Sequence, residues 1–108
     1  MRTERERDAR VAYNRAMTQI VVRIPAPLQS FADGAHELRL AAGTVADLLR
    51  ELGSRYPQLV QRVLTPEGEL RPFVNVFVGR TNVRGLSGLA TTVAPGEIVS
   101  ILPAVAGG

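Results

Sequence analysis

The sequence contains no cysteine, no lysine and no tryptophan, and it has a single histidine, three Phe and two Tyr among 108 residues. Without Cys there is no disulfide framework, thiolate metal site, cysteine nucleophile or persulfide held on a side chain. One imidazole, His36, and acids that do not cluster at ligand spacing argue against a metal site and a metalloenzyme. No apolar run approaches the roughly 18 residues of a membrane span, and the N-terminus is charged where a signal peptide would be apolar. These absences set the expectation of a soluble cytoplasmic protein with neither a metal nor a membrane.

With no lysine, all thirteen basic residues are Arg, set against ten acids for a formal charge of +3. The basic isoelectric point reflects guanidinium groups that never titrate near neutrality. The stretch "MRTERERDARVAYNRA" holds five of the arginines and three of the acids, so the remainder, eight against seven, is close to neutral. No aromatic residues interleave with the arginines, which argues against a nucleic-acid surface. Residues 1–16 mix both signs of charge with little apolar content and read as a flexible or weakly helical extension. An anion-binding arm is the functional alternative, and Met17 offers a second possible start.

The length suits one domain with a modest core. "TQIVVRI" alternates Ile20, Val22 and Ile24 against Gln19, Val21 and Arg23, and Pro25 and Pro27 close this first strand. After the turn signal "ADGA", "HELRL" carries Leu38 and Leu40 on a second strand, which should pair with the first as an antiparallel hairpin. In "GTVADLLRELGSRYP", Thr44 and Asp47 form a capping-box-like pair. Val45, Leu48, Leu49, Leu52 and Tyr56 recur at helical spacing, which predicts a helix from about Val45 to Tyr56. A short amphipathic turn, "PQLVQRVL", follows, and "TPEGEL" reads as a loop.

"RPFVNVFVGR" places Val74, Val76 and Val78 on one face and Phe73, Asn75 and Phe77 on the other. A short strand near Asn82 to Arg84 and several glycine turns come next. "EIVSIL" forms the last strand, ended by Pro103. This order predicts an α+β, two-layer β-grasp domain over residues 17–102: a mixed sheet covered on one face by one main helix, with the first and last strands parallel at its centre. A ferredoxin-like arrangement is the alternative, and it would need a second full helix. Residues 103–108 leave the domain as a flexible arm of small residues, Pro103, Ala104, Val105, Ala106, Gly107 and Gly108, that could extend about 20 Å. Glycine accepts whatever backbone angles a narrow channel imposes.

Read together, the strand order, "GLATTVAPGEIVSILPAVAGG" and the C-terminal Gly-Gly resemble the ubiquitin-like sulfur carriers of the ThiS and MoaD families. The similarity runs from Met17 to Gly108 and is strongest after Phe73. It is greatest to the branch serving thiocarboxylate-dependent cysteine synthesis, the CysO type. The resemblance implies that the protein is a co-substrate and not an enzyme. An E1-like activating enzyme would adenylate the Gly108 carboxylate with ATP, and a sulfur donor would displace AMP to leave a thiocarboxylate. In the cysteine branch a pyridoxal-phosphate synthase takes up the sulfur and a zinc peptidase releases the product. These cofactors belong to partners, and the carrier itself binds none. The alternatives within the resemblance are the small subunit of molybdopterin synthase, docking with its large subunit, and sulfur supply for thiamine or a secondary metabolite. A conjugated ubiquitin-like modifier and an inert β-grasp interaction module are readings of a different class.

If the helix covers the valine face, the opposite sheet face displays Val21, Arg23, Phe73, Asn75, Phe77, Ser100 and Leu102. Two phenylalanines on an open face suggest a partner surface. The alternative is that "TPEGELRP" or the N-terminal extension covers them. His36 reads as a polar strand residue with no nucleophile to serve. Arg71, Arg80 and Arg84 read as a solvated face with some capacity to steer an acidic partner. "GLSGLA" and "APGE" lack phosphate-loop spacing. Thr91 and Thr92 form no catalytic pair.

Overall fold

The computed structural model describes residues 19–41 and 43–103. Strand β1 (Gln19–Arg23) buries Ile20 and Val22 and pairs antiparallel with β2 (Glu37–Ala41), setting Ile20 opposite Leu40 and Val22 opposite Leu38. The connection holds an element that sequence periodicity did not suggest, a 3-10 helix over Ala26–Ala32 with Leu28 and Ala32 buried. Pro25 and Pro27, read as strand terminators, also open this helix, where a missing N–H costs nothing. It closes through Asp33 at φ 53° and Gly34 at φ 81°, a left-handed pair that the sequence meets with its two most tolerant residue types. His36 lies one residue outside β2, exposed, and contributes its carbonyl oxygen to the Ile24 N–H at 2.8 Å.

Helix α1 (Val45–Arg55) begins as the sequence predicts. Asp47 N–H donates to Thr44 Oγ1 and Thr44 N–H to Asp47 Oδ2, both at 3.1 Å, which completes a capping box. An isolated helix of this length is marginal, so its stability comes chiefly from burying Val45, Leu48, Leu49 and Leu52. Each buried side chain contributes about 1.5–3 kcal/mol, against about 1 kcal/mol for the cap. Pro57 disfavours helical geometry at Tyr56 and starts a second short helix, α2 (Pro57–Gln61), which buries Leu59. Val63 is fully buried beyond it, whereas Val60 and Leu64 are half-buried.

The central strand is β7 (Ile98–Pro103), in a five-stranded order β2-β1-β7-β4-β5 with β4 at Val74–Val78 and β5 at Thr81–Asn82. It runs parallel to β1 over Ile98–Ser100 and antiparallel to β4 over Val99–Pro103. Two helices cover the face carrying Ile20, Val22, Val76 and Ile101, all nearly inaccessible. This is the predicted β-grasp arrangement.

Three further details differ from the sequence reading. The strand placed near Asn82 to Arg84 is β5, which ends at Asn82 because the Asn82 side chain accepts the Arg84 N–H and turns the chain into a 3-10 helix over Val83–Gly85. A second, two-stranded sheet joins β3 (Gly43–Thr44) to β6 (Thr92–Val93). Finally, β7 continues through Pro103, opposite Val74, where Leu102 was expected to be its last residue. Val74 directs its N–H to Arg71 O and its carbonyl to Arg84, away from β7, so this is a non-hydrogen-bonded pair. The proline nitrogen then faces outward past the last β1 pairing, where no donor is needed.

Candidate functional site

The uncovered sheet face is built by alternation along three strands. Register sets Asn75 beside Leu102, and sets Arg23, Ser100 and Phe77 in a row across β1, β7 and β4. Leu102 is 46% exposed and Phe77 is half-buried among its strand neighbours. Phe73 precedes β4 and is 71% exposed, the most exposed large apolar side chain among the described residues. The loop "TPEGELRP" therefore does not cover it, and the N-terminal extension, the other expected cover, lies outside the described residues. That loop is folded on itself by the Leu64–Leu70 bridge and by Thr65 N–H donating to Glu69 O at 2.7 Å. Arg23 faces Glu37 at 3.6 Å with both side chains more than half exposed, a pair worth little in solvent.

Two arginines read as a solvated face are instead committed to the chain. Arg84 Nη2 donates to Arg71 O at 2.7 Å and Val74 O at 2.8 Å, and Arg84 Nε donates to Asn75 Oδ1 at 3.3 Å. Arg71 Nε donates to Gln61 O at 2.8 Å. Arg80 is exposed, as expected. Sequence reasoning missed the Arg84 contacts because two of its three acceptors are main-chain carbonyls, which no side-chain pattern announces. The one available signal was Asn75 and Asn82 flanking the β4–β5 turn; Asn82 Nδ2 also donates to Asn75 Oδ1, at 3.3 Å.

The described residues assemble no catalytic constellation. His36 is exposed, and Thr91, buried, uses its Oγ1 to accept the Ser87 N–H. Among the described residues no three His, Cys, Asp or Glu side chains gather as metal ligands, and no helix is long and apolar enough to cross a membrane. The expected chemical terminus, Gly107 and Gly108, lies outside the described residues, as do Ala104, Val105 and Ala106 of the arm. Pro103, at the end of β7, is the last described residue of that arm.

A model of the ThiS family matches residues 22–108. The chain belongs to the ThiS family. Its relatives include the sulfur carrier protein CysO of Mycobacterium tuberculosis, 36% identical over 91 residues that span 82% of this chain and 98% of CysO. Small archaeal modifier protein 3 of Haloferax volcanii is 43% identical over 65 residues, 60% of this chain and 70% of that protein. Among solved structures, the crystal structure of the Amycolatopsis orientalis BexX/CysO complex contains a chain that superposes with a TM-score of 0.77 at 34% identity, covering 82% of this chain and 99% of that one. This ThiS-family chain is a sulfur carrier protein of the ThiS/CysO type, a small ubiquitin-like carrier and not an enzyme.

Proposed function

We propose that this carrier holds sulfur as a thiocarboxylate on Gly108 and delivers it for cysteine synthesis. The observation that carries the reading is the family match, which runs through Gly107 and Gly108, together with the near full-length similarity to CysO. In an E1-like enzyme the Gly108 carboxylate attacks the α-phosphate of ATP, releasing pyrophosphate and forming an acyl-adenylate. Hydrosulfide then attacks the acyl carbon, AMP leaves, and the terminal carbon keeps one oxygen and gains one sulfur. A Cys-free chain offers no thiol to intercept the adenylate.

The acceptor in this reading is an aminoacrylate held by a pyridoxal-phosphate synthase. The sulfur adds to its β-carbon, the acyl group moves from sulfur to nitrogen, and a zinc peptidase hydrolyses the resulting amide to free cysteine. Partners dock on the open sheet face, with Phe73 and Leu102 as apolar anchors and Arg23, Asn75 and Phe77 around them. A sulfur carrier related to this one occurs in a complex with BexX, which supports docking of the folded body.

The test is intact mass after incubation with an E1-like enzyme, ATP and sulfide. One oxygen should be exchanged for sulfur, and a chain lacking Gly108 should load nothing while unfolding at the same temperature as the full chain. Loading of the shortened chain would remove Gly108 from its role. The thiocarboxylate form should then yield cysteine with a pyridoxal-phosphate synthase and an activated serine. Similarity to small archaeal modifier protein 3 favours one second reading, conjugation to target lysines. That reading predicts isopeptide-linked adducts, without sulfur, when activated carrier is mixed with acceptor proteins.

A further inference from the structure

We infer that Arg84 is a positioning residue for partner docking: its guanidinium clamps the turn that presents Phe73. The inference rests on the docking reading of the open face given above. Arg71, Pro72, Phe73 and Val74 form a turn closed by Val74 N–H donating to Arg71 O at 3.0 Å, with Pro72 fixing φ at its second position and Phe73 at its third. The carbonyls at both ends of this turn accept from a single nitrogen, Arg84 Nη2. Nη2 serves both carbonyls while Nε of the same rigid plane reaches Asn75 Oδ1, and it is this third contact from a second nitrogen that the single ammonium of a lysine does not reproduce.

The clamp is itself held. Arg84 begins in the 3-10 helix after β5, where its N–H donates to Asn82 Oδ1 at 3.0 Å. Its Nε and Asn82 Nδ2 share Asn75 Oδ1, so the same network orients a residue of the open face and leaves Asn75 Nδ2 to donate to a partner. On the far side, the Arg71 N–H donates to Val63 O at 3.0 Å and anchors the start of the turn to the helical layer. Phe73 is therefore an exposed apolar side chain on a backbone fixed from three directions. A partner meeting it does not have to order the turn on binding, which is where a rigid anchor gains affinity over a loose one.

The experiment uses the full chain, the variants Arg84→Met, Arg84→Lys and Phe73→Ala, the double variant Arg84→Met with Phe73→Ala, and an E1-like enzyme that loads the wild-type chain. Arg84→Met should speed amide exchange at Val74 while exchange at Val22 and Val99 in the sheet centre stays unchanged. It should weaken binding to the E1-like enzyme about tenfold, with Arg84→Lys in between. In the Phe73→Ala background the same substitution should add less than about twofold, because the clamp then has no anchor to present. Equal weakening in both backgrounds, or unchanged exchange at Val74, would overturn the inference. If Phe73→Ala leaves binding untouched, the docking reading itself fails and the positioning role falls with it. That result is distinct from one in which Phe73→Ala weakens binding and Arg84→Met does not. Should Arg84→Met unfold, Arg84→Lys carries the comparison, and wild-type affinity and exchange in that variant would equally overturn the proposal.

Discussion

Asp47 shows how much one exposed side chain can do at a helix start. The Thr44 N–H holds its carboxyl below the usual carboxylate range, with smaller contributions from the Thr44 hydroxyl and the Arg50 guanidinium, 3.2 Å away. A carboxyl whose folded pKa is depressed stabilises the fold above its unfolded pKa, about 3.9 for Asp, and loses that contribution as pH falls through the folded value. Asp47→Asn should therefore lower Tm at neutral pH, and the gap to wild type should narrow as pH drops below about 4 in a thermal melt series. Thr44→Ala removes the hydroxyl that caps the Asp47 N–H and should cost about 1 kcal/mol by denaturant titration. Both residues were legible from the sequence because a capping box is a spacing of residue types. Arg84 was not, because its role depends on where carbonyls of residues 71 and 74 come to lie.

Among the elements, β7 carries the most tertiary consequence, since it sits at the centre of the main sheet, parallel to β1 on one side and antiparallel to β4 on the other. Ile101, on its covered face, is 1% exposed. Ile101→Ala should destabilise the domain by about 2–5 kcal/mol, measured by denaturant unfolding, with the spread set by how far the helical layer can settle into the space. The long strands were readable because Val74, Val76 and Val78, and Val99 and Ile101, recur at every second position over five or six residues, and their neighbours are less buried. The two-residue strands β3 and β6 are too short to show any period. The 3-10 helix after Pro25 buries only Leu28 and Ala32, four apart, a spacing too brief to stand out from a loop. In the sequence Pro103 reads as a terminator, as a proline after a strand usually does, and tertiary register makes it the last paired residue of β7.

At the scale of the whole molecule, the sheet has one face packed under the helices and one that the described residues leave open. The packed face holds the valines, isoleucines and leucines under α1 and α2, and the open face holds Leu102 and the row from Arg23 to Phe77, with Phe73 exposed in the turn that leads into β4. Because β1 and β7 are parallel neighbours, the start of one and the end of the other lie at opposite ends of the domain. A force applied between Gln19 and Pro103 thus drags the two strands past each other and loads their cross-strand bonds together, where an antiparallel pair pulled from one end would unzip one bond at a time. Single-molecule stretching through these two positions should give one abrupt rupture without intermediate steps; stepwise extension would contradict it. A pull on Pro103 resisted at Gln19 is therefore borne in shear by the β1–β7 pair.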